Sequence, residues 1–318
     1  MSSIDHLIIS STIDYSTDLV CCELEKRGLS YLRLNRDSFS DYHLLYDLAL
    51  GTLSVKIDSR TYLIEASKLR SVFFRAPVFL RNMGKLYTLQ EQLQRSQWSS
   101  FLRNLIVFNR AKWINHPVST YNAENKLYQL QAATQCGLIV PETYVGNVQP
   151  AIIDPNCMYA VKSLDAALFY ENGQEMFTYT VMISGTELIN SELQDAPVII
   201  QKYLQHKTDI RVTFVGGSLF PVAITSNMQN IEDDWRKTDK NSLEYTAIEL
   251  PLDLQSKLLK LMKHLQLNFG GIDLAKVQDD YYFIEVNPTG EWGWLTAKAG
   301  AGIDAAIVDL MVGGGICE

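Results

Sequence analysis

Two β-prone runs near the C-terminus constrain this chain more than any other feature of its sequence. They are GIDLAKV and YYFIEVN within residues 271–290, and the polar residues 278–280 between them predict a turn, so the pair predicts an antiparallel hairpin. With the turn centred on Asp279, Asp273 pairs with Glu285, because each lies six residues from Asp279. The hairpin therefore brings two acidic side chains together from opposite strands.

The same hairpin predicts a cation site. Glu285 and Asn287 share one face of their strand because side chains alternate, and directly opposed residues have Cβ atoms about 4.5–5.5 Å apart. Two facing carboxylates repel each other, and with the amide oxygen of Asn287 they form an all-oxygen group that suits Mg²⁺ with phosphate oxygens completing the shell. A solvated acidic edge is the open alternative. Ile284 and Val286 are expected to point the other way, into a core.

The N-terminal residues predict a strand–helix–strand unit. Residues 5–10 and 30–35 are apolar runs that predict strands, and residues 16–27 predict a helix that ends at Gly28. The chain therefore begins as an α/β protein. The first turn, STIDYST, contains no glycine. Because a dinucleotide fingerprint needs glycine there for close approach to the pyrophosphate, we expect no Rossmann cofactor site.

The whole chain divides into three predicted units. These are an N-terminal α/β domain over residues 1–115, a central lid subdomain over 116–197 and a C-terminal subdomain over 198–318. Further runs predict strands at 52–57, 61–65, 71–75, 158–164, 176–183 and 197–204, a Gly-Gly hairpin at 209–225, and helices at about 86–110, 121–136, 252–268 and 302–312.

Charge and cysteine content limit the partners and the compartment. Lys and Arg number 28 against 36 Asp and Glu, and the net charge of −8 argues against a nucleic-acid binder, which needs a basic footprint. The chain has neither an apolar run of about 18 residues nor the basic start of a signal peptide. Its five Cys lack CxxC spacing, which favours reduced thiols. We expect a cytoplasmic protein with no nucleic-acid or membrane partner.

Three basic residues precede the hairpin. Lys126 lies in the first turns of a predicted helix, Lys162 lies in an apolar strand, and Arg211 lies in a strand where it could pair with Asp209. Each is ordinary alone, although central strands seldom carry an unpaired Lys. Upstream of a cation site, the three together suit a polyphosphate clamp in which Lys and Arg contact phosphate oxygens.

The order of these motifs resembles the ATP-grasp superfamily over about residues 112–312. Lys126, the following GLIVPET, and Lys162 in AVKSL are similar to the two ATP lysines and to a Gly-x-x-x-Pro-x-Thr segment of that family. DIRV, which contains Asp209 and Arg211, is similar to a strand whose Arg contacts phosphate. The resemblance implies an ATP-grasp fold with a preceding βαβ domain. It implies ATP-binding residues Lys126, Lys162, Gln201, Lys202, Leu204 and Asp209, a catalytic Arg211, and Mg²⁺ ligands Asp273, Glu285 and Asn287.

Other segments resemble one branch of that family, the peptide-maturating ligases that make graspetides of the microviridin type. These segments are DWR at Asp234–Arg236, ELP at 249–251, VNPTGEWGWL at 286–295, and SVFFRAP, which is similar to a strand ending in Arg-x-Pro. Asn125 departs from the pattern because many relatives have Asp before the lysine. The stretch after Lys162 also lacks the Gly-rich phosphate loop of glutathione-synthetase-like ligases.

This resemblance implies an ATP-dependent carboxylate–amine or carboxylate–hydroxyl ligase. Asp or Glu side chains of a ribosomal precursor peptide would become acyl phosphates and then join Ser or Thr hydroxyls or Lys amines, with ATP and Mg²⁺ as cofactors. Arg236 is the candidate for binding the substrate carboxylate, and a pair with Asp233 or Asp234 is its alternative. A leader segment of the peptide would dock near residues 165–190. Many such ligases are homodimers.

Two other functions remain open. One is an amino-acid ligase that adds Glu or a similar unit to a protein or peptide terminus. The other is a non-catalytic module that binds nucleotide or peptide, which the presence of Lys126, Lys162, Arg211 and the three proposed metal ligands disfavours. The residues do not distinguish an ester from an amide product.

Overall fold

A computed structural model shows how the chain folds. It describes residues 2–75, 87–164, 168–171, 174–177, 180–193, 195–226, 231, 242–296 and 299–313. Within these residues, no helix is long and apolar enough to cross a membrane. Cys21, Cys22, Cys136 and Cys157 are free thiols, and Cys317 lies outside the described residues.

The N-terminal part contains two four-stranded sheets. Its elements are β1 (Ser2–Ser3), β2 (His6–Ser10), α1 (Tyr15–Lys26), β3 (Tyr31–Asn35), β4 (Tyr42–Asp47), β5 (Thr52–Ile57), β6 (Arg60–Glu65), β7 (Ser71–Phe74), α2 (Leu89–Asn104) and β8 (Lys112–Ile114). The order β3-β2-β7-β8 forms a parallel sheet, and β1-β6-β5-β4 forms the second sheet. The predicted βαβ unit is confirmed as β2-α1-β3.

The central part is built on an antiparallel sheet. Its elements are α3 (Pro117–Ala123), α4 (Lys126–Gln135), β9 (Thr143–Gly146), β10 (Met158–Lys162), β11 (Leu168–Glu171), β12 (Gln174–Phe177), β13 (Val181–Ser184), α5 (Gly185–Ile189) and β14 (Val198–Lys202). The sheet order is β13-β10-β14-β9, and β11 and β12 form a separate hairpin. The predicted single helix over 121–136 is wrong: the chain breaks at Asn125, so that Lys126 begins a new helix.

The C-terminal part is a five-stranded antiparallel sheet with helices. Its elements are β15 (Thr208–Val215), β16 (Ser218–Ser226), β17 (Leu243–Ala247), α6 (Leu252–His264), β18 (Phe269–Val277), β19 (Asp280–Asn287), α7 (Gly293–Thr296) and α8 (Ile303–Val312). The strand order is β17-β16-β15-β18-β19. Gly216 and Gly217 form the predicted two-residue turn, with φ of 55° and 102°, which suits glycine at both positions.

A shared hydrophobic core joins the first and last parts of the chain. Ile8 and Phe73 of the parallel sheet and Leu24 of α1 pack with Trp292 and with α8. Helices α3 and α4 instead pack against the five-stranded sheet, because Ala123, Ala132 and Ala133 belong to its core. The loop after β19 therefore lies against the parallel sheet, where the candidate site is built.

Candidate functional site

The hairpin of β18 and β19 pairs Asp273 with Glu285, as predicted, but its turn and its strand register differ from the prediction. The turn has two residues, since Val277 pairs with Asp280, and a bulge between Asp273 and Leu274 leaves Ile284 without a partner across the ladder. The turn is one residue shorter than predicted and the bulge adds one residue to β19. The two changes cancel, so Asp273 still pairs with Glu285. Ile284 was expected in the core, and this is wrong: Phe283 and Val286 fill it because the bulge turns Ile284 aside.

Asp273 and Glu285 are each paired with a basic residue. Arg211 of β15 pairs with Asp273 across the ladder, and its Nη1 lies 2.8 Å from Asp273 Oδ1. Lys126 Nζ forms a hydrogen-bonded ion pair with Glu285 Oε2. We call these four residues the carboxylate cluster. The suggested pair of Arg211 with Asp209 does not form, because Lys207 Nζ lies 2.5 Å from Asp209 Oδ2.

Arg211 is enclosed by the backbone of two glycines. Only 7% of its side chain is exposed. A Cβ atom at Gly271 or at Gly290 would overlap the guanidinium, so both positions need a residue without a side chain. Arg211 Nε is buried and has no hydrogen-bond partner among the described residues. A buried donor without a partner costs free energy, and a phosphate or acyl-phosphate oxygen would satisfy it.

Helix α4 places Lys126 beside the hairpin. Lys126 is its first residue, and Gln129, one turn later, is buried. Gln129 Nε2 donates to the carbonyl of Val286 at 2.8 Å, and Val286 N donates to Gln129 Oε1 at 3.0 Å. These two bonds fix the start of α4 against β19. Sequence reasoning missed Gln129, because a polar residue in a helix is ordinary unless its burial is known.

The structure explains the departure at Asn125. Its Nδ2 donates to the carbonyls of Tyr121 at 2.9 Å and Asn122 at 3.1 Å, which closes the end of α3. A carboxylate cannot donate to these carbonyls. The amide therefore caps α3 while the backbone begins α4.

A second group of predicted residues lies on the central sheet. Lys162 Nζ donates to Gln201 Oε1 at 2.9 Å, and Gln201 Nε2 donates to Thr143 Oγ1 at 3.0 Å. Gln201 is 4% exposed, so its amide is oriented by both neighbours. Lys202 is exposed at the end of β14, and Leu204 is half-buried beyond it. Thr143, the last residue of GLIVPET, is thus part of this group.

Two predicted regions lie partly or wholly outside the described residues. Arg236, the candidate for binding the substrate carboxylate, lies outside the described residues, as do Asp233 and Asp234. Of the proposed leader-docking region 165–190, the structure describes 168–171, 174–177 and 180–190. These assignments stay predictions.

An ion-pair network centred on the buried Arg75, not predicted as a site, lies next to the carboxylate cluster. Arg75, the residue after β7, contacts Asp14 and Glu291, each at 2.9 Å. Burial acts to raise the pKa of Asp14, but the charge and hydrogen bonds of Arg75, with the hydroxyls of Thr17 and Ser10, lower that pKa to about 2. Arg75 was noticed only as part of SVFFRAP. Glu291 likewise stands within VNPTGEWGWL, and Asp14 had no sequence signal. The pairing of both residues with Arg75 exists only after folding.

The donor set suits a nucleotide with a divalent cation. The oxygens of Asp273, Glu285 and Asn287 are hard ligands of the kind that Mg²⁺ prefers. Asn287 Oδ1 accepts from Thr289 N at 3.1 Å and from Thr289 Oγ1 at 3.4 Å, and a cation there would replace the longer of these two bonds. Among the described residues no three His, Cys, Asp or Glu side chains gather into a metal-binding group, and the amide oxygen of Asn287 would supply the third protein ligand beside the two carboxylates.

Part of the chain matches a known family model. Residues 171–311 match the model of the RimK-like ATP-grasp domain. Two proteins named "Probable alpha-L-glutamate ligase", from Histophilus somni strains 2336 and 129Pt, are 24% identical to this chain over 199 residues, which is 61% of this chain. The match spans 64% of the length of each of those relatives.

Solved structures match almost the whole chain. A macrocyclase, MdnC, bound with the precursor peptide MdnA from Microcystis aeruginosa MRC, has a TM-score of 0.82 at 26% identity and covers 96% of this chain and 99% of its own. A Chryseobacterium gregarium RiPP-associated ATP-grasp ligase, in complex with ADP and a leader and core peptide, has a TM-score of 0.82 at 23% identity and covers 98% and 97%. The predicted ATP-grasp fold and the resemblance to graspetide ligases are confirmed.

Proposed function

We propose that this chain, which belongs to the ATP-grasp superfamily and carries a RimK-like ATP-grasp domain, is an ATP-dependent ligase that closes rings in a ribosomal precursor peptide. Its reaction joins an Asp or Glu side chain to a hydroxyl or an amine. The observation that carries the proposal is the carboxylate cluster, in which two acids meet two cations and Arg211 Nε has no hydrogen-bond partner within the described part of the chain.

The residues divide into nucleotide and metal functions. Lys162, Gln201, Lys202 and Leu204 would hold the nucleotide at the central sheet, since Lys162 and Gln201 are already oriented by hydrogen bonds. Lys126 would contact the phosphates, and Asp209 would lie at the edge of this site. Asp273, Glu285 and Asn287 would hold Mg²⁺ through their oxygens.

The reaction has two steps. When bound, ATP with Mg²⁺ supplies the γ-phosphoryl group that a substrate carboxylate oxygen accepts, as the bond between that phosphorus and the ADP oxygen breaks. Arg211 would stabilise the charge on the transferred phosphoryl group. A hydroxyl or amine of the same peptide then attacks the acyl carbon, and phosphate leaves. The peptide loses one water per bond, and one ATP becomes ADP and phosphate.

Lys126 and Arg211 have two sets of possible partners. In the structure each pairs with a carboxylate of the hairpin. The same carboxylates are the proposed metal ligands, so their charges favour a cation while the two basic residues favour phosphate oxygens. The internal ion pairs hold all four side chains in place before any ligand arrives.

The peptide partner is proposed from the whole-chain similarity. MdnC is bound with a precursor peptide, and the C. gregarium ligase is in complex with a leader and core peptide. We place the substrate carboxylate near Arg236 and the leader near residues 165–190. A homodimer and a cytoplasmic location are part of this proposal, the latter because the reaction consumes ATP.

A second function is favoured by one finding, the similarity to the α-L-glutamate ligases. That function would add an amino acid to a terminus and would raise the mass of the acceptor. The two are separated by incubating a candidate precursor peptide with the protein, ATP and Mg²⁺ and measuring its intact mass. Loss of water supports ring closure, and gain of an amino-acid residue supports the second function. No change of mass with retained ATP binding favours a non-catalytic module.

A further inference from the structure

Arg75 is a buried arginine that the proposed reaction has not used. It follows β7 at the carboxyl end of the parallel sheet, and only 4% of its side chain is exposed. The rings of Trp292, Phe269 and Phe73 surround its guanidinium, with centroids 5.1, 5.7 and 5.8 Å from the central carbon. A charge in such a place is stabilised only when it is paired and hydrogen-bonded.

The donors of Arg75 join two distant parts of the chain. Nε donates to Asp14 Oδ2, and Nη2 donates to Glu291 Oε1, both at 2.9 Å. Nη1 donates to the carbonyl of Gly290 at 3.4 Å. Asp14 lies in the loop before α1, whereas Gly290 and Glu291 follow β19. The guanidinium therefore helps to hold the loop after the proposed metal ligand Asn287 against the N-terminal sheet. Ser16 of α1 contributes as well, because its Oγ donates to Glu291 Oε2 and accepts from Trp292 N and Gly293 N.

The residues 288–291 lie between Arg75 and Arg211. The carbonyl of Glu291 accepts from Arg211 Nη2 at 3.4 Å, and Gly290 lies directly against the Arg211 guanidinium. Gly290 N donates to the carbonyl of Asn287 at 3.1 Å. The side chain of Glu291 faces Arg75 while its backbone faces Arg211. Any shift of these residues moves the wall of the Arg211 pocket.

We infer that Arg75, acting through Glu291 and Gly290, is a positioning residue that sets the place of Arg211. This inference rests on the proposed function, because it assigns Arg211 to the terminal phosphate of ATP. Arg75 does not reach substrate itself, since its guanidinium is buried and engaged. A shift of Arg211 would weaken contacts to the terminal phosphate more than contacts to the rest of the nucleotide.

A second ion pair provides a matched control. Arg27 Nη1, at the end of α1, lies 2.5 Å from Asp309 Oδ1 of α8, and it also joins the first part of the chain to the last. Asp309→Ala removes the carboxylate partner of an arginine between the same two parts, at a pair that includes neither Arg211 nor residues 288–291. If ion pairs there only stabilise the protein, both variants will behave alike.

The test compares Glu291→Ala with Asp309→Ala in the full chain without peptide. Glu291 is 55% exposed, so its removal leaves no buried cavity, and Arg75 keeps Asp14. Hydrogen exchange of the peptide that contains residues 288–293 is expected to be faster in Glu291→Ala only. Affinity for MgAMPPNP is expected to fall about tenfold, a usual size for coupling between sites, with affinity for MgADP nearly unchanged.

Arg75→Lys provides a second variant that keeps the charge but not the planar fork, and it should give a smaller change of the same kind. In an Arg211→Lys background, Glu291→Ala should cause little further loss of AMPPNP affinity, because coupled residues are not additive. Unchanged exchange, an equal loss for MgADP, or additive effects would each overturn the inference. Hydrogen exchange and nucleotide affinity are measured without the ligation reaction. A wild-type protein that does not ligate peptide would therefore count against the proposed function and not against this inference.

Discussion

Asp273 and Glu285 show how single residues set the chemistry of this site. Two facing carboxylates repel, and the structure pairs Asp273 with Arg211 and Glu285 with Lys126. The pair of Lys126 and Glu285 is partly exposed, with 27% and 23% of the side chains accessible. Such pairs contribute only about 0–1 kcal/mol to stability. This pair therefore adds little to stability, which fits the phosphate-binding role proposed for Lys126.

Glu285→Gln should abolish ATP turnover while leaving the fold intact. The amide removes a negative charge that the proposed metal needs, and the loss of a partly exposed ion pair should lower the free energy of unfolding by no more than about 1 kcal/mol. ADP release and urea denaturation measure the two effects. The control is Asp280→Asn, an exposed acid at the tip of the same hairpin. Turnover like that of the wild type in Glu285→Gln would disprove the metal assignment.

Asp14 makes the stability depend on pH in an acid range. Its pKa is lowered from 3.8 to about 2, so the folded state binds this proton less readily than the unfolded state. The stabilisation is complete above about pH 4 and is lost as the pH falls toward 2, with a total of about 2 kcal/mol. The free energy of unfolding of wild type relative to Asp14→Asn should shrink over that interval. A difference that stays constant from pH 4 to pH 2 would contradict this cause.

At the scale of elements, the β18–β19 hairpin depends on a strained turn residue. Gln278 has a φ of 53° although it is not glycine, and the first position of this two-residue turn favours glycine. Gln278→Gly should stabilise the protein by about 0.5 kcal/mol, because the relief of strain exceeds the added chain entropy. Asp279→Gly, whose φ is not positive, should destabilise it. Urea denaturation measures the free energy of unfolding of both variants. Equal changes in the two would count against the turn geometry.

The same hairpin shows what the sequence can and cannot predict. Alternation of side chains was enough to place Glu285 and Asn287 on one face. The two-residue turn could not be predicted, because Gln278 is not one of the residues typical of such a turn. The bulge at Ile284 could not be predicted either, because it depends on the packing of Phe283. The Gly216-Gly217 hairpin was predictable because glycine itself permits the turn.

Elsewhere, the features that could not be predicted from the sequence are contacts between residues far apart along the chain. Lys126, Lys162 and Arg211 could be selected because each stands in a motif with a fixed order. The buried Gln129 bonds Val286, which lies 157 residues further along the chain. Arg75 pairs with Glu291, which lies 216 residues further along. No local pattern encodes such pairs, so the structure was needed to find them.

For the whole molecule, the shared core around Trp292 unites the N-terminal sheet with the last helices. Trp292 is 1% exposed, and its ring lies 6.3 Å from that of Phe73 and 5.2 Å from that of Phe269. Trp292→Ala should lower the free energy of unfolding by about 3–5 kcal/mol, since it leaves a large cavity. Trp294→Ala, at a half-buried ring beside Tyr245, should cost about 1 kcal/mol. Comparable losses would contradict the central place of Trp292 in this shared core.

The most direct test of the central claim is a paired measurement of peptide mass and ADP. A candidate precursor peptide is incubated with ATP, Mg²⁺ and either wild-type protein or Glu285→Gln. We predict that the wild type removes one water from the peptide for each ADP formed, and that Glu285→Gln removes none. Loss of water without ADP, or a peptide that gains an amino-acid residue instead, would contradict ring closure by this site.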